Sequence, residues 1–273
     1  MLEYMLAPFV ACMLLVAIHS YLGLHVIARE VIFVDLALAQ MAALGAVAAL
    51  LVGVGPDSNA AYAFAFGFVA LGAALLALTR TRGPSRVPHE AIIGIVYVVA
   101  TAAALLLADR APQGAEAIRE ILAGSIVWVT WPTIVKRLAL PYVVLGVFHY
   151  VLRHRFLTIS FDPAEAGRQG WRVRWWDFLF YLSFGVVIIF SVPIGGVLVV
   201  FTFLVVPAVI AFLFTRDLRQ LAVVAWASGA IASLAGLWLS YRFDLPTGPM
   251  IVCTYGGLLA IAAAGRRFVR TAA

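Results

Sequence analysis

Residues Gly195–Phe214 read GGVLVVFTFLVVPAVIAFLF, a run of 20 residues without a charged side chain. A helix needs about 20 apolar residues to cross the hydrocarbon core of a bilayer. Because lipid offers no hydrogen-bond partner to an open backbone, such a run is expected to be helical. This stretch therefore predicts a transmembrane helix.

Comparable apolar runs recur along all 273 residues, of which 64% are hydrophobic and only 12% are charged. Soluble domains are about half apolar and about a quarter charged. We therefore predict an all-α fold, a polytopic transmembrane helical bundle of about eight or nine spans that forms a single domain over residues 1–273. The predicted spans are Met5–Ile27, Val31–Val54, Ala60–Leu78, Ala91–Leu107, Leu138–Phe156, Trp176–Phe190, Gly195–Phe214, Leu221–Leu239 and Met250–Ala264.

The stretch Ile118–Thr133 is apolar but short, and it fits either an interfacial or a re-entrant segment. If it crossed the membrane, every later span would be inverted. Cytoplasmic loops of membrane proteins carry an excess of Lys and Arg. The nine-span arrangement with an outer N-terminus and a cytoplasmic C-terminus places 14 of the 19 basic residues inside. These are Arg29, Arg80, Arg82, Arg86, Arg153, Arg155, Arg168, Arg172, Arg174, Arg216, Arg219, Arg266, Arg267 and Arg270.

Ionisable groups within apolar spans are costly, so each is a functional candidate. His19 on the first predicted span and Asp35 on the second carry the imidazole and carboxylate groups that zinc and manganese accept. Gln40 follows on the second span. The alternatives are structural: His19 could hydrogen-bond a neighbouring helix, and Glu30 and Asp35 could pair with Arg29 or favour the N-terminus of a helix.

Other patterns favour structural roles. His89-Glu90 opens HEAII, which lacks the second histidine of a zinc-protease motif, so Glu90 is expected to cap a helix. Small residues four apart on the eighth span indicate close helix packing. These are Ala225, Gly229 and Ser233, and Ala232, Gly236 and Ser240. The segment Asp244–Pro249 is expected to form a tight outer turn.

Four stretches carry a resemblance to a known family. They are REVIFVDLALAQMAALG at Arg29–Gly45, EAIIGIV at Glu90–Val96 with ILAGSIVWVT at Ile121–Thr130, FDPAEAGRQG at Phe161–Gly170, and IGGVLVVFTFLVVPAVIA at Ile194–Ala211, echoed by DLPTGPMIV at Asp244–Val252. In order and spacing the chain resembles the permease subunits of bacterial ABC uptake systems for zinc, manganese and iron.

The resemblance implies a permease homodimer in the bacterial plasma membrane, two cytoplasmic ATPase subunits and an extracytoplasmic metal-binding protein. ATP would be hydrolysed on the separate ATPase chain, so we do not expect this chain to be an enzyme or to bind a cofactor. The resemblance implies a divalent metal as its substrate and no nucleic acid as a partner. Within the cytoplasmic loop 158–171, the resemblance assigns Asp162, Glu165, Ala166 and Gly170 to contact with the ATPase.

The chain departs from the family at the residues expected to bind the metal. Members commonly carry an aspartate and then a histidine on the second helix, whereas this chain has Asp35 and, at the matching position, Gln40. A second histidine of the fourth helix is absent from Ile95–Thr101, IVYVVAT. The resemblance thus predicts a translocation path lined by His19, Asp35 and Gln40, with His19 and Asp35 as the metal ligands. A stand-alone secondary carrier or channel is the alternative.

Overall fold

The computed structural model describes residues 2–56, 58–80, 86–111, 114, 116 and 124–271, and for residues 2–4 and 267–271 the backbone alone. The elements are helices, and no strand occurs in these ranges. We number them α1 Leu2–Ala28, α2 Val34–Leu51, α3 Asn59–Thr79, α4 His89–Ala108, α5 Trp131–Val151, α6 Arg153–Phe161, α7 Pro163–Arg168, α8 Val173–Gly195, α9 Val197–Phe214, α10 Leu218–Phe243 and α11 Thr247–Thr271.

Nine helices of the described chain are long and apolar enough to cross a membrane, so the predicted all-α transmembrane fold is confirmed. They are α1 to α5 and α8 to α11. The largest departure from the sequence prediction is at α5, which runs from Trp131 to Val151 and not from Leu138 to Phe156. The prediction excluded Lys136 and Arg137 from the span. In the structure the helix continues through the charged pair, and the Arg137 guanidinium lies over the Tyr62 ring, with 5.4 Å between Cζ and the ring centroid.

The helices differ in how much of their surface they bury. α1, α2 and α8 are the most buried spans, whereas α4, α5 and α11 bury only a minority of their residues within the bundle. Val98 and Val99 of α4 and Leu106 near its end are examples of large apolar side chains on this outer surface. Such a surface suits lipid, which solvates apolar side chains as well as a protein interior does.

The small residues of α10 form the predicted packing face. Gly229, Ala232, Ser233 and Gly236 are buried. A Cβ added to Gly236 would lie 2.9 Å from the Cα of Ile251 on α11, and one added to Gly229 would lie 2.6 Å from Val16 Cγ1 on α1. A larger residue at either position would push the neighbouring helix away, so the prediction of close packing is confirmed.

A single residue joins α8 to α9. Gly196 ends one helix and starts the next, at a φ of 76° that favours glycine. The backbone N–H of Ser125 donates to the Ile194 carbonyl at 2.9 Å, which fixes the chain before α5 against this junction. Residues 118–123 of the ambiguous stretch lie outside the described residues, and its later part forms a short 3₁₀ turn at Ile126–Trp128 before α5 begins.

Contacts between helix ends establish which ends lie together. Arg29 after α1 and Arg80 after α3 both contact Asp177 near the start of α8. We call this the basic end of the bundle. At the opposite end, the Tyr62 ring of α3 stacks on Phe190 of α8 at 5.6 Å, and Arg137 of α5 lies over Tyr62. Helix α5 therefore begins at that opposite end and runs toward the basic end, as the nine-span arrangement requires.

Candidate functional site

His19 lies near the middle of α1 and is fully buried. Its Nδ1 is 2.8 Å from the carbonyl oxygen of Leu15, one turn earlier. Because a carbonyl only accepts, Nδ1 carries the proton, and Nε2 of the neutral ring keeps its lone pair. Among the described residues Nε2 has no hydrogen-bond partner. Within the described ranges His19 therefore bonds to its own helix and not, as in the structural alternative, to a neighbouring one, and it presents a nitrogen that can bind a metal.

Asp35 and Gln40 are both buried on α2, at 1% and 7% exposure. In the described part of the chain Asp35 Oδ1 has no hydrogen-bond partner. Five residues separate the two side chains, which places them about 140° apart around a helix with 3.6 residues per turn. Asp35 and Gln40 therefore leave α2 on different sides.

The structure does not gather the predicted path residues into one closed metal site. No hydrogen bond or ion pair within the described ranges joins His19, Asp35 and Gln40, and no three His, Cys, Asp or Glu side chains there lie close enough to hold a metal ion together. That these residues line the path stays a prediction.

The expected pairing of Arg29 with Glu30 or Asp35 is wrong. Arg29 turns inward, and its Nη1 donates to Asp177 Oδ1 at 2.8 Å. Glu30 is exposed and adopts a left-handed backbone conformation with a φ of 57°. That conformation reverses the chain between α1 and α2, so that Arg29 and Glu30 occupy different environments.

Arg29 also contacts two other side chains. Its Nε donates to Ser160 Oγ at 2.7 Å. Its guanidinium lies over the Phe180 ring, with 4.0 Å between Cζ and the ring centroid, which is a cation–π geometry. Burial lowers the pKa of Arg29, and the charge of Asp177 opposes this shift. Arg29 remains cationic because a guanidinium is not deprotonated in proteins.

Asp177 is the common acceptor of two cations. Arg80 Nη1 donates to the same Oδ1 atom as Arg29, also at 2.8 Å. The Arg29 and Asp177 side chains have 0% exposure, whereas that of Arg80 has 20%. This group was missed in the sequence, although Asp177 is an acid inside the predicted span Trp176–Phe190 and the criterion applied to Asp35 would have found it.

Ser160 joins this group to His25. The Ser160 hydroxyl donates to the Phe156 carbonyl at 2.8 Å, and His25 Nδ1 lies 2.7 Å from the same oxygen. Because a hydroxyl has one proton to give, His25 Nδ1 must be the donor. His25 Nε2 then keeps a lone pair that has no partner among the described residues.

His149 of α5 is a third buried histidine, which the sequence analysis also missed. Its Nε2 lies 2.9 Å from Ser183 Oγ, whose own proton goes to the Phe180 carbonyl. His149 Nε2 is therefore the donor, and Nδ1 accepts from the Tyr21 hydroxyl at 3.3 Å. Both ring nitrogens are occupied, so His149 holds α1, α5 and α8 together and is not free to bind a metal.

The predicted loop 158–171 contains helix. It begins within α6 and includes all of α7, and it lies between the spans α5 and α8. The local sequence explains this: the Asp162 side chain accepts from the Glu165 N–H at 3.0 Å, and Pro163 occupies the first turn, where its missing N–H costs nothing. Gly170, with a φ of 66°, ends the turn.

We call residues Asp162–Gly170 the docking segment. Most of it is exposed at the basic end, and Ala166 is its one fully buried residue. Ala166 therefore anchors the segment to the helix bundle. Hydrogen bonds from Gln169 and Arg168 lower the pKa of the Glu165 carboxyl group. The hydrogen bond to Glu165 in turn raises the pKa of the Arg168 guanidinium. The segment therefore carries an ion pair between Arg168 and Glu165 on its exposed surface.

Glu90 caps a helix, as predicted, but the helix is α2 and not its own α4. Its Oε1 accepts from the N–H of Phe33, the residue that precedes α2, at 2.8 Å. This bond connects the start of α4 to the turn between α1 and α2. The expected turn at Asp244 is also present, with Asp244 in a left-handed conformation after α10.

Residues 1–265 match the family described as the ABC 3 transport family. The manganese transport system membrane protein MntC of Listeria monocytogenes is 29% identical over 184 residues, which cover 66% of this chain and 64% of that protein. The manganese transport system membrane protein MntB of Synechocystis is 28% identical over 203 residues, which cover 74% of this chain and 64% of that protein. The matches thus span slightly less than two thirds of these relatives.

A chain of PsaBC from Streptococcus pneumoniae, solved in complex with a Fab, has the same fold. The TM-score is 0.78 at 20% identity, over 95% of this chain and 90% of that chain. The family match extends over almost the whole sequence, and the described helices form a nine-span membrane bundle. The chain therefore belongs to the ABC 3 transport family.

Proposed function

We propose that this chain is the membrane-spanning permease subunit of an ABC importer for a divalent metal, with manganese or zinc as the leading substrates and iron as a further one. The observation that carries this proposal is the family match over residues 1–265. The relatives named as manganese transport proteins favour manganese. The amide oxygen of Gln40 is a ligand type that suits manganese better than zinc.

The translocation path is assigned to His19, Asp35 and Gln40. In support, His19 Nε2 and Asp35 Oδ1 are buried atoms without a partner among the described residues. Leaving a polar atom unpaired in an apolar interior costs free energy, so such atoms are often functional. Each is a single metal donor. Two copies of the chain would double the number of donors along a shared path, in agreement with the proposed homodimer.

The docking segment, with Asp162, Glu165, Ala166 and Gly170, is assigned to contact with a cytoplasmic ATPase. Its exposure at the basic end supports this role, because the excess of Arg marks a cytoplasmic face. The chain is then a multi-pass protein of the bacterial plasma membrane with a cytoplasmic C-terminus, and an extracytoplasmic metal-binding protein delivers the metal at the opposite end. ATP-driven closure of the ATPase subunits would move the docking segments and open the path to one side at a time.

The test is uptake of radioactive manganese, zinc and iron in cells that express the chain with its ATPase, compared with an ATPase variant that binds but cannot hydrolyse ATP. We expect uptake of one metal that disappears with the inactive ATPase. Assembly of the complex is checked by co-purification in both cases. Absence of uptake of all three metals in an assembled complex would contradict the metal substrate.

A stand-alone secondary carrier is the second candidate, and the buried Arg29–Asp177 pair favours it, since buried ion pairs occur in such proteins. The same experiment separates the two functions. Uptake that continues unchanged with the inactive ATPase would indicate the carrier and contradict the importer.

A further inference from the structure

We propose that Arg29, Ser160 and Asp177 form a buried latch that transmits movement of the docking segment to the membrane helices α1 and α8. The three are positioning residues, since they act through the docking segment and do not touch substrate. This inference rests on the proposed function, because the latch can transmit movement to α1 and α8 only if an ATPase moves the docking segment.

The geometry places the latch directly at the base of the docking segment. Ser160 lies in the last turn of α6, two residues before Asp162. Its Oγ accepts from Arg29 Nε at 2.7 Å, and Arg29 Nη1 continues to Asp177 Oδ1 at 2.8 Å. One guanidinium therefore connects the segment to both the end of α1 and the N-terminal part of α8.

His25 adds a second connection between α6 and α1. Its Nδ1 donates to the same Ser160 oxygen at 2.7 Å. The Ser160 oxygen thus accepts from His25 of α1 and from Arg29, which directly follows α1, while the Ser160 hydroxyl donates to the Phe156 carbonyl of α6 itself. Translation of α6 along or across α1 would have to break both bonds or move α1.

Breaking these bonds is costly because the groups are buried. The Arg29 and Asp177 side chains have 0% exposure, and Ser160 has 3%. Water cannot replace a lost partner at such a position, and an unpaired buried charge is strongly unfavourable. Hydrogen bonds to charged groups are also stronger than neutral ones. Moving α1 and α8 with α6 is therefore the favourable response.

Arg80 provides a matched contrast within the same group. It donates to the same Asp177 oxygen at the same distance as Arg29, but it is partly exposed and has no bond to Ser160. A purely structural role of the charge group would make the two arginines similar. The latch requires that only Arg29 affects coupling between the ATPase and transport.

The experiment uses the assembled permease–ATPase complex in proteoliposomes and measures ATP hydrolysis and metal uptake in the same preparation. The metal is radioactive manganese, or whichever metal the cell assay identifies. The readout is the amount of metal transported per ATP. For Ser160→Ala and Arg29→Ala we expect continued hydrolysis with a ratio that falls about tenfold or more, because each variant removes the hydrogen bond of a charged group that connects α6 to Arg29. For Arg80→Ala we expect the wild-type ratio.

Each other outcome has a definite meaning. An unchanged ratio in Ser160→Ala would overturn the latch while leaving the permease role intact, and so would an equal loss in Arg80→Ala and Arg29→Ala. Ser160→Ala keeps the Arg29–Asp177 ion pair and is expected to fold, so it decides the question even if Arg29→Ala does not assemble. Wild-type protein without ATP-dependent uptake would overturn the proposed function, and the latch with it.

Discussion

Three buried histidines, His19, His25 and His149, each have a hydrogen-bond partner that determines which ring nitrogen carries the proton. His149 uses both nitrogens in bonds to Ser183 and Tyr21. His19 and His25 each leave Nε2 without a partner in the described part of the chain. At the residue scale, a buried histidine is thus structural at position 149, whereas at positions 19 and 25 it keeps a ring nitrogen available for ligand binding.

Replacing His19 or Asp35 tests the path assignment. Even residues that only support a metal ligand typically change affinity about 10- to 100-fold, so His19→Ala and Asp35→Ala should each lower metal uptake at least about tenfold. The measurement is the initial rate of radioactive metal uptake at equal protein level. Thr254→Val is the matched control, because Thr254 bonds a carbonyl of its own helix on the peripheral α11. Unchanged uptake in both path variants would show that the assigned path is wrong.

Asp177→Ala tests the energetics of the charge group. It leaves two arginines without their carboxylate, one of them fully buried. Breaking a buried pair typically costs about 3–5 kcal/mol, so we expect a marked fall in the unfolding temperature of the purified protein in detergent. Asp109→Ala, at an exposed position after α4, should leave the unfolding temperature unchanged. Equal unfolding temperatures for both variants would mean that the ion pairs do not stabilise the fold.

At the scale of elements, two features depend on short local patterns. The docking segment is helical because Asp162, Pro163 and Glu165 occupy the capping and first-turn positions of α7. The contact between α10 and α11 depends on glycines that allow the two backbones to approach. Both patterns can be altered by a single substitution with a conservative control.

Asp162→Ala removes the cap of α7 and costs about 1 kcal/mol of helix stability. Because the exposed turn would then be less ordered, we expect the permease to bind its ATPase several-fold more weakly. Asp162→Asn keeps an accepting oxygen and should bind like the wild type. The measurement is the dissociation constant of the detergent-solubilised complex. If the Asn variant bound as weakly as the Ala variant, the charge of Asp162 and not its cap would be what matters.

Gly236→Ala introduces a Cβ only 2.9 Å from the Cα of Ile251, so α10 and α11 must separate. Overpacking of this kind typically costs about 1–3 kcal/mol, and the unfolding temperature in detergent should fall. Gly257→Ala on α11 is the control, because nothing lies within 4 Å of its added Cβ. Alanine is the better helix former, so the control should be neutral or slightly stabilising. A stable Gly236→Ala variant would contradict the close contact.

At the scale of the whole molecule, the helix-end contacts establish which turns share a face. The docking segment lies at the basic end, and the turn at Leu245 between α10 and α11 lies at the opposite end. Which face is cytoplasmic is inferred from the distribution of arginine. The two turns should therefore differ in their access to reagents that cannot cross the membrane.

Single cysteines at Gly167 and Leu245, in a Cys253→Ala background, test this orientation. Both positions are exposed, and the remaining Cys12 is fully buried. In cells whose outer layer is permeabilised but whose plasma membrane is intact, a membrane-impermeant thiol reagent should label Leu245→Cys only. Gly167→Cys should be labelled after the plasma membrane is opened. The reverse pattern would invert the proposed topology.

The sequence predicted the spans well and the side-chain partners poorly. Apolar runs of this length determine where helices cross, because within a bilayer a helix satisfies all of its backbone hydrogen bonds inside one segment. The start of α5 was missed because hydropathy treats Lys136 and Arg137 as a boundary, whereas a long side chain can reach an aromatic ring at the end of a helix. The partner of Arg29 was missed because Asp177 is 148 residues away, beyond any local pattern.

By itself the sequence determined that the chain is a helical membrane protein, where its spans lie, and which family its motifs resemble. These properties depend on local hydropathy and on short capping patterns, which act within a few residues of the chain. Only the tertiary structure decided that Arg29 pairs with Asp177 and that Ser160 connects the docking segment to α1. Such relations depend on how helices pack and on their rotation about their own axes, since contacts between distant segments determine them.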